Sequence, residues 1–185
     1  SLTITEAPLT FTPIAESIMY GESFEIDPDF KGFAEGEDVT VLEVDGKMPY
    51  YYMKGDVRYE IGDKKNVGVY EIFITDDLED NYIFDPETKL GSLTITEAPL
   101  TFTPIAETIV YGESFDIDPD FNGFAEGEDA TVLEVDGKMP YYYMKGDVRY
   151  EIGDKKNVGV YDIFITDDLE DNYIFNPGTY LGTLT

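Results

Sequence analysis

The chain has 185 residues with no Cys and no His, which excludes disulfides, thiolate or imidazole catalysis and the usual zinc ligands. Its 40 Asp and Glu against 12 Lys and Arg give a formal net charge of -28, which repels nucleic-acid phosphates and anionic lipid surfaces. No apolar run approaches the roughly 20 residues of a membrane span, so no insertion of this segment is expected.

The opening stretch, Ser1 to Pro13, recurs unchanged as Ser92 to Pro104, and aligning residues 1 to 94 with 92 to 185 leaves about ten differences and no gap. A period of this length suits a unit with its own core, unlike the roughly 20–50-residue slices of a solenoid. Residues 1-7 are read as the end strand of a preceding repeat, 8-97 as a first module and 98-185 as a second. Because the chain begins inside the recurring motif and closes on it at Gly182-Thr183-Leu184-Thr185, it is expected to be a segment of a longer protein.

Along the first module, Leu9, Phe11 and Pro13 alternate with Thr10 and Thr12, the period-2 pattern of a half-buried strand. Ile18-Met19-Tyr20 is a second short apolar run stopped by Gly21, and Phe24 and Ile26 alternate around Glu25 before Asp27-Pro28. Phe30 to Asp38 reads as a loop. Acidic residues precede Val39 to Leu42 as at a helix start, but the valines there favour a strand, which is the expectation.

Asp45-Gly46 marks a turn and Pro49 leads into Tyr50-Tyr51-Tyr52-Met53. Val57, Tyr59 and Ile61 alternate with Arg58 and Glu60, and Val67 to Ile74 is the most strongly β stretch. An acidic turn, Asp76 to Asn81, precedes the short strand Tyr82-Ile83-Phe84, and Leu93 and Ile95 alternate with threonines to close the module. Such closely spaced strands and turns predict an all-β fold: two tandem Ig-like antiparallel β-sandwich modules, with β-grasp-like α+β modules carrying one short helix as the alternative. Thr96-Glu97-Ala98-Pro99-Leu100 joins the copies without a Gly/Ser linker, which favours a stiff, extended pair.

The sequence resembles the MBG domain of the YGX type, a tandem repeat of large bacterial surface and adhesin-like proteins. The resemblance rests on Tyr20-Gly21-Glu22, Gly32 to Glu37, Asn66-Val67-Gly68-Val69-Tyr70, Asn81 to Phe84 and the joining segment Leu93 to Leu100, each repeated in order in the second copy. It implies an extracellular, cell-surface or secreted scaffold whose partners are neighbouring repeats, and it carries no catalytic residues. The chain departs from the family in its acidity and in its three consecutive tyrosines.

Two groups of residues are candidate sites. Tyr50, Tyr51 and Tyr52, with Tyr141, Tyr142 and Tyr143, could stack on sugar rings of a glycan or contact a host protein, with Tyr51 and Tyr142 the expected outward members. Packing of the sheet is the plainer role for them. Asp76, Asp77, Glu79 and Asp80, and likewise Asp167, Asp168, Glu170 and Asp171, could offer oxygen ligands to calcium, although no EF-hand spacing is present and solvated charge is the plainer reading. The basic cluster Lys47, Lys54, Arg58, Lys64 and Lys65, repeated as Lys138, Lys145, Arg149, Lys155 and Lys156, reads as a solvated face with local ion pairs, or else as a patch that docks on acidic neighbours. Neither a phosphate-binding Gly-rich loop nor a convincing carboxylate pair for glycoside hydrolysis stands out, so the expectation is a spacer or stalk and no enzyme.

Overall fold

The structure is a computed structural model that describes residues 1–75, 81–84, 89–166, 172–175 and 178–185. The chain is mostly β, at 44% strand, and its only helical elements among the described residues are two single-turn 3-10 helices. It divides into two compact units, Ser1–Thr96 and Glu97–Thr185.

Unit 1 contains β1 (Ala7–Leu9), β2 (Ile14–Met19), β3 (Tyr50–Lys54), β4 (Val57–Glu60), β5 (Gly68–Ile74), β6 (Tyr82–Phe84) and β7 (Lys89–Thr96). Five strands form a sheet in the order β2-β7-β5-β3-β4, and β1 pairs separately with β6. The large sheet is mixed. Pairs β7/β5, β5/β3 and β3/β4 are antiparallel, but β2 runs parallel to β7. An entirely antiparallel sheet was expected from the short connections. Parallel neighbours require a long crossover, and β2 and β7 are the first and last strands of this sheet, so the rest of the unit supplies it.

Alternation along the strands decides which face is dry. Tyr50, Tyr52, Tyr70, Ile72, Ile74, Leu90, Leu93 and Ile95 are buried on one face, and Leu9, Leu42, Tyr82 and Phe84 are the further buried apolar residues that belong to the core of the unit. Beside them Phe11, Phe30 and Phe84 form an aromatic cluster with centroid separations of 5.6 to 6.5 Å. Phe33 meets Tyr82 edge-on, and the Tyr82 hydroxyl accepts from the Ala34 amide (3.0 Å) while donating to the Glu37 carboxylate.

Val39–Leu42 is a 3-10 turn and not a strand. The Asp38 carboxylate accepts from both the amide and the hydroxyl of Thr40 (3.0 and 2.6 Å), so a cap of the first turn outweighs the β preference of the valines. Phe24 and Ile26 are half-buried and join no ladder. Asp45 and Gly46 both take positive φ (50° and 74°) between the mutually bonded Val44 and Lys47, the backbone of a tight hairpin turn.

Unit 2 repeats the plan with β8 (Ala98–Phe102), β9 (Ile105–Glu107), β10 (Phe121–Asn122), β11 (Tyr141–Lys145), β12 (Val148–Glu151), β13 (Tyr161–Ile165), β14 (Tyr173–Phe175) and β15 (Tyr180–Leu184). Its large sheet runs β12-β11-β13-β15-β9, again with a parallel pair, β15/β9. Its 3-10 turn, Ala130–Leu133, is capped by Asp129.

Candidate functional site

Two features stand out on these units: an aromatic row on the outer face of each large sheet, and the parallel seam between first and last sheet strands.

The outer row follows from alternation in β3. Tyr50 and Tyr52 point into the core, so Tyr51 must face outward. It stacks on Phe73 of β5 (centroids 5.4 Å, planes 14° apart), its cross-strand neighbour. The Arg58 guanidinium lies 3.9 Å from the Tyr51 ring centre and is held there by Glu60 at 2.7 Å. Unit 2 repeats the arrangement with Arg149, Tyr142, Phe164 and Glu151, then extends it: Tyr180 meets Phe164 at 5.4 Å. Unit 1 has Lys89 at that place, paired with Glu71 at 2.5 Å.

Of the six tyrosines expected at a binding surface, Tyr51 and Tyr142 are therefore on the outer face. Tyr50, Tyr52, Tyr141 and Tyr143 are core residues, and burial raises all four phenol pKa values. The basic cluster has a role that sequence reasoning missed. Lys54 lies over Tyr70 at 5.4 Å and donates to the Val67 carbonyl, Lys65 lies 4.2 Å from the Tyr52 ring, and Lys64 lies 5.9 Å from that of Tyr20. These cations cap tyrosine rings along the sheet, and burial lowers the Lys65 amine below the ordinary lysine value.

The acidic candidates Asp76, Asp77, Glu79, Asp80, Asp167, Asp168, Glu170 and Asp171 lie outside the described residues. Among the described residues, no group of three or more carboxylates gathers as a metal site would require.

In the seam of unit 1, six consecutive pairs run from Ile14↔Gly91 to Met19↔Thr96. Gly91 makes this approach possible. Its φ is +146°, and a Cβ there would fall 2.6 Å from the Ile14 nitrogen and closer still to the Ile14 carbonyl oxygen. The ladder to β5 also shifts at this point, with Ile72 opposite Gly91 and Phe73 opposite Lys89. Unit 2 places Gly182 against Ile105 in the same way, but its seam has three register pairs, Gly182↔Ile105 to Leu184↔Glu107.

Compared with known protein families, curated proteins and solved structures, the chain matches none.

Proposed function

We propose that the chain is a non-enzymatic structural repeat, a spacer or stalk of an extracellular bacterial adhesin-like surface protein, built as two sandwich-like modules that bear tension. The single observation that carries this reading is the parallel pairing of β2 with β7. In a parallel pair the N-terminal end of one strand and the C-terminal end of the other lie at opposite ends of the seam. Force entering at Ile14 and leaving at Thr96 therefore slides the strands along each other and loads the seam bonds together. An antiparallel pair of terminal strands would instead open one bond at a time. Tandem repetition of such a unit suits a protein pulled by its ends, as does the resemblance to repeats of surface proteins. Among the described residues no helix is long and apolar enough to cross a membrane.

Stretching the chain by its ends in a single-molecule force experiment tests this. The expected trace has two unfolding peaks, each releasing roughly 260–300 Å of chain, the extended length of Ile14 to Thr96 or of Ile105 to Leu184. Unfolding with no resolved force peak would remove the reading.

A second reading rests on the aromatic row. Arg149, Tyr142, Phe164 and Tyr180 form an outer strip able to stack on sugar rings and offer hydroxyl and guanidinium donors at its edge, so unit 2 is the place to look for glycan or host-protein contact. Glycan-array binding that disappears in Tyr142→Ser/Tyr180→Ser would favour it over the stalk alone.

A further inference from the structure

Both edge strands of the large sheet in unit 1 end in the same kind of turn. At the close of β4 the Glu60 amide donates to the Asp63 carboxylate at 2.7 Å, and the Glu60 carbonyl accepts from the Asp63 amide at 3.1 Å. At the close of β2, on the opposite edge, the Met19 amide donates to the Glu22 carboxylate at 2.7 Å, and the Met19 carbonyl accepts from the Glu22 amide at 3.1 Å. Gly62 and Gly21 allow the reversal, with φ of +99° and +89°. In each case an acid three residues on supplies the acceptor and the donor that a further strand would supply. Unit 2 repeats the β4 turn at the end of β12, where Glu151 is bonded to Asp154 at 2.8 and 3.1 Å.

The strand closed in this way is complementary to itself. Because Asp63 takes the Glu60 amide, the Glu60 backbone faces away from its β3 neighbour Tyr51, and by antiparallel alternation the Arg58 amide and carbonyl also point out of the sheet. Two copies of β4 set antiparallel about Tyr59 would join through these outward groups, with Arg58 of each opposite Glu60 of the other. Val57 would then meet Ile61, and these two large apolar residues are 54% and 53% exposed. Centring the pair on Arg58 or on Glu60 instead sets like charges opposite each other, which is destabilising. Val148-Arg149-Tyr150-Glu151-Ile152 carries the same pattern in unit 2.

We propose that β4 and β12 are self-association edges whose partner is the same strand of a second copy of this chain, each held shut by its own Asp63 or Asp154. The contact is isologous, since one strand serves both partners. It needs the Glu60 amide and carbonyl that Asp63 occupies, so the turn blocks the register in which charges and apolar residues match. Lys65 secures the turn by donating to the Asp63 carbonyl at 3.0 Å, and Lys156 does the same for Asp154 at 3.2 Å. A row of unpaired backbone groups on a sheet edge is a template for another chain, and closing it keeps neighbouring copies apart. The inference rests on the edge strands alone and does not depend on the seam carrying force.

Amide hydrogen exchange of the unaltered chain reads the closed turn. The Glu60 and Glu151 amides are expected to exchange about tenfold more slowly than those of Arg58 and Arg149 on the same edges, the equivalent of one main-chain bond. Sedimentation velocity over a concentration series reads the edge, in about 0.5 M NaCl to screen the net charge. Asp63→Ala/Asp154→Ala is expected to associate at least about tenfold more tightly than the unaltered chain. Asp63→Asn/Asp154→Asn keeps an acceptor oxygen and is expected to behave as the unaltered chain does. Adding Arg58→Glu/Arg149→Glu to the alanine variant sets Glu against Glu across the pair and is expected to remove the gain, which aggregation of an unfolded chain would not. Equal exchange at the two positions, an alanine variant that associates no more tightly, or a gain that survives the charge reversal overturns the proposal.

Discussion

Replacing Gly91 by alanine tests whether the seam is as close as the structure draws it. The left-handed backbone there costs a β-carbon-bearing residue about 1–2 kcal/mol. The new Cβ also meets the Ile14 backbone, so the start of β2 must withdraw and two or so seam bonds, each about 0.5–1.5 kcal/mol, are lost. The sum is about 2–5 kcal/mol, which for a unit of this size lowers its melting temperature by roughly 8–40 °C. Gly36→Ala is the control, because Gly36 has φ +87° with nothing within 4 Å of the added carbon and incurs only the conformational term. Scanning calorimetry of the whole chain reads both, with unit 2 as internal reference. If Gly91→Ala costs no more than Gly36→Ala, the close packing of β2 on β7 is refuted, and with it the shear argument.

Other expectations follow from the same structure. Hydrogen bonds from the Thr40 side chain, then its amide, lower the Asp38 pKa from 3.8, and Thr131 does the same for Asp129. These caps therefore stabilise fully above the ordinary aspartate range and are lost as pH falls through the lower native values; an NMR titration should show the Thr40 and Thr131 amides shifting only below about pH 3.8, and a shift at higher pH would contradict the cap. Raising NaCl from about 0.01 to 0.5 M should raise both melting transitions, since self-repulsion of a chain of charge -28 is screened, and a flat response would mean that the acids are already neutralised. Refolding of the tandem should be slower and less two-state than that of one unit, since near-identical strands can exchange; identical single-phase kinetics would argue against exchange.

Much of the strand pattern is legible in the sequence, because a sheet with one dry face writes its period into the chain. Val57–Glu60, Gly68–Ile74 and Tyr82–Phe84 appear where alternation places them, and the Asp45-Gly46 turn has the backbone its residues favour. The same alternation sends Tyr51 outward between two buried neighbours. What the sequence conceals is pairing. Nothing in Ile14 to Met19 says whether its partner is parallel or antiparallel, since side-chain periodicity is the same in both. One signal was present: Gly91, within an otherwise strand-like run, marks a bulge or a close backbone approach. Val39 to Leu42 went the other way because a single carboxylate at Asp38 caps the turn, a local bond that outweighs the propensity of two valines. The lysine and arginine cluster looked like solvated charge for a similar reason, as the rings beneath it come from strands that only the fold brings together.

Pulling unit 1 in two directions distinguishes shear loading of the parallel seam from unzipping. The chain has no natural cysteine, so introduced thiols are unambiguous handles. Thr12→Cys with Glu97→Cys pulls β2 and β7 from opposite ends of the seam, whereas Ser23→Cys with Glu97→Cys pulls them apart from the same end, where Met19 pairs with Thr96. The first geometry is expected to need several times the force of the second, and equal forces in the two directions would rule out shear loading of the seam.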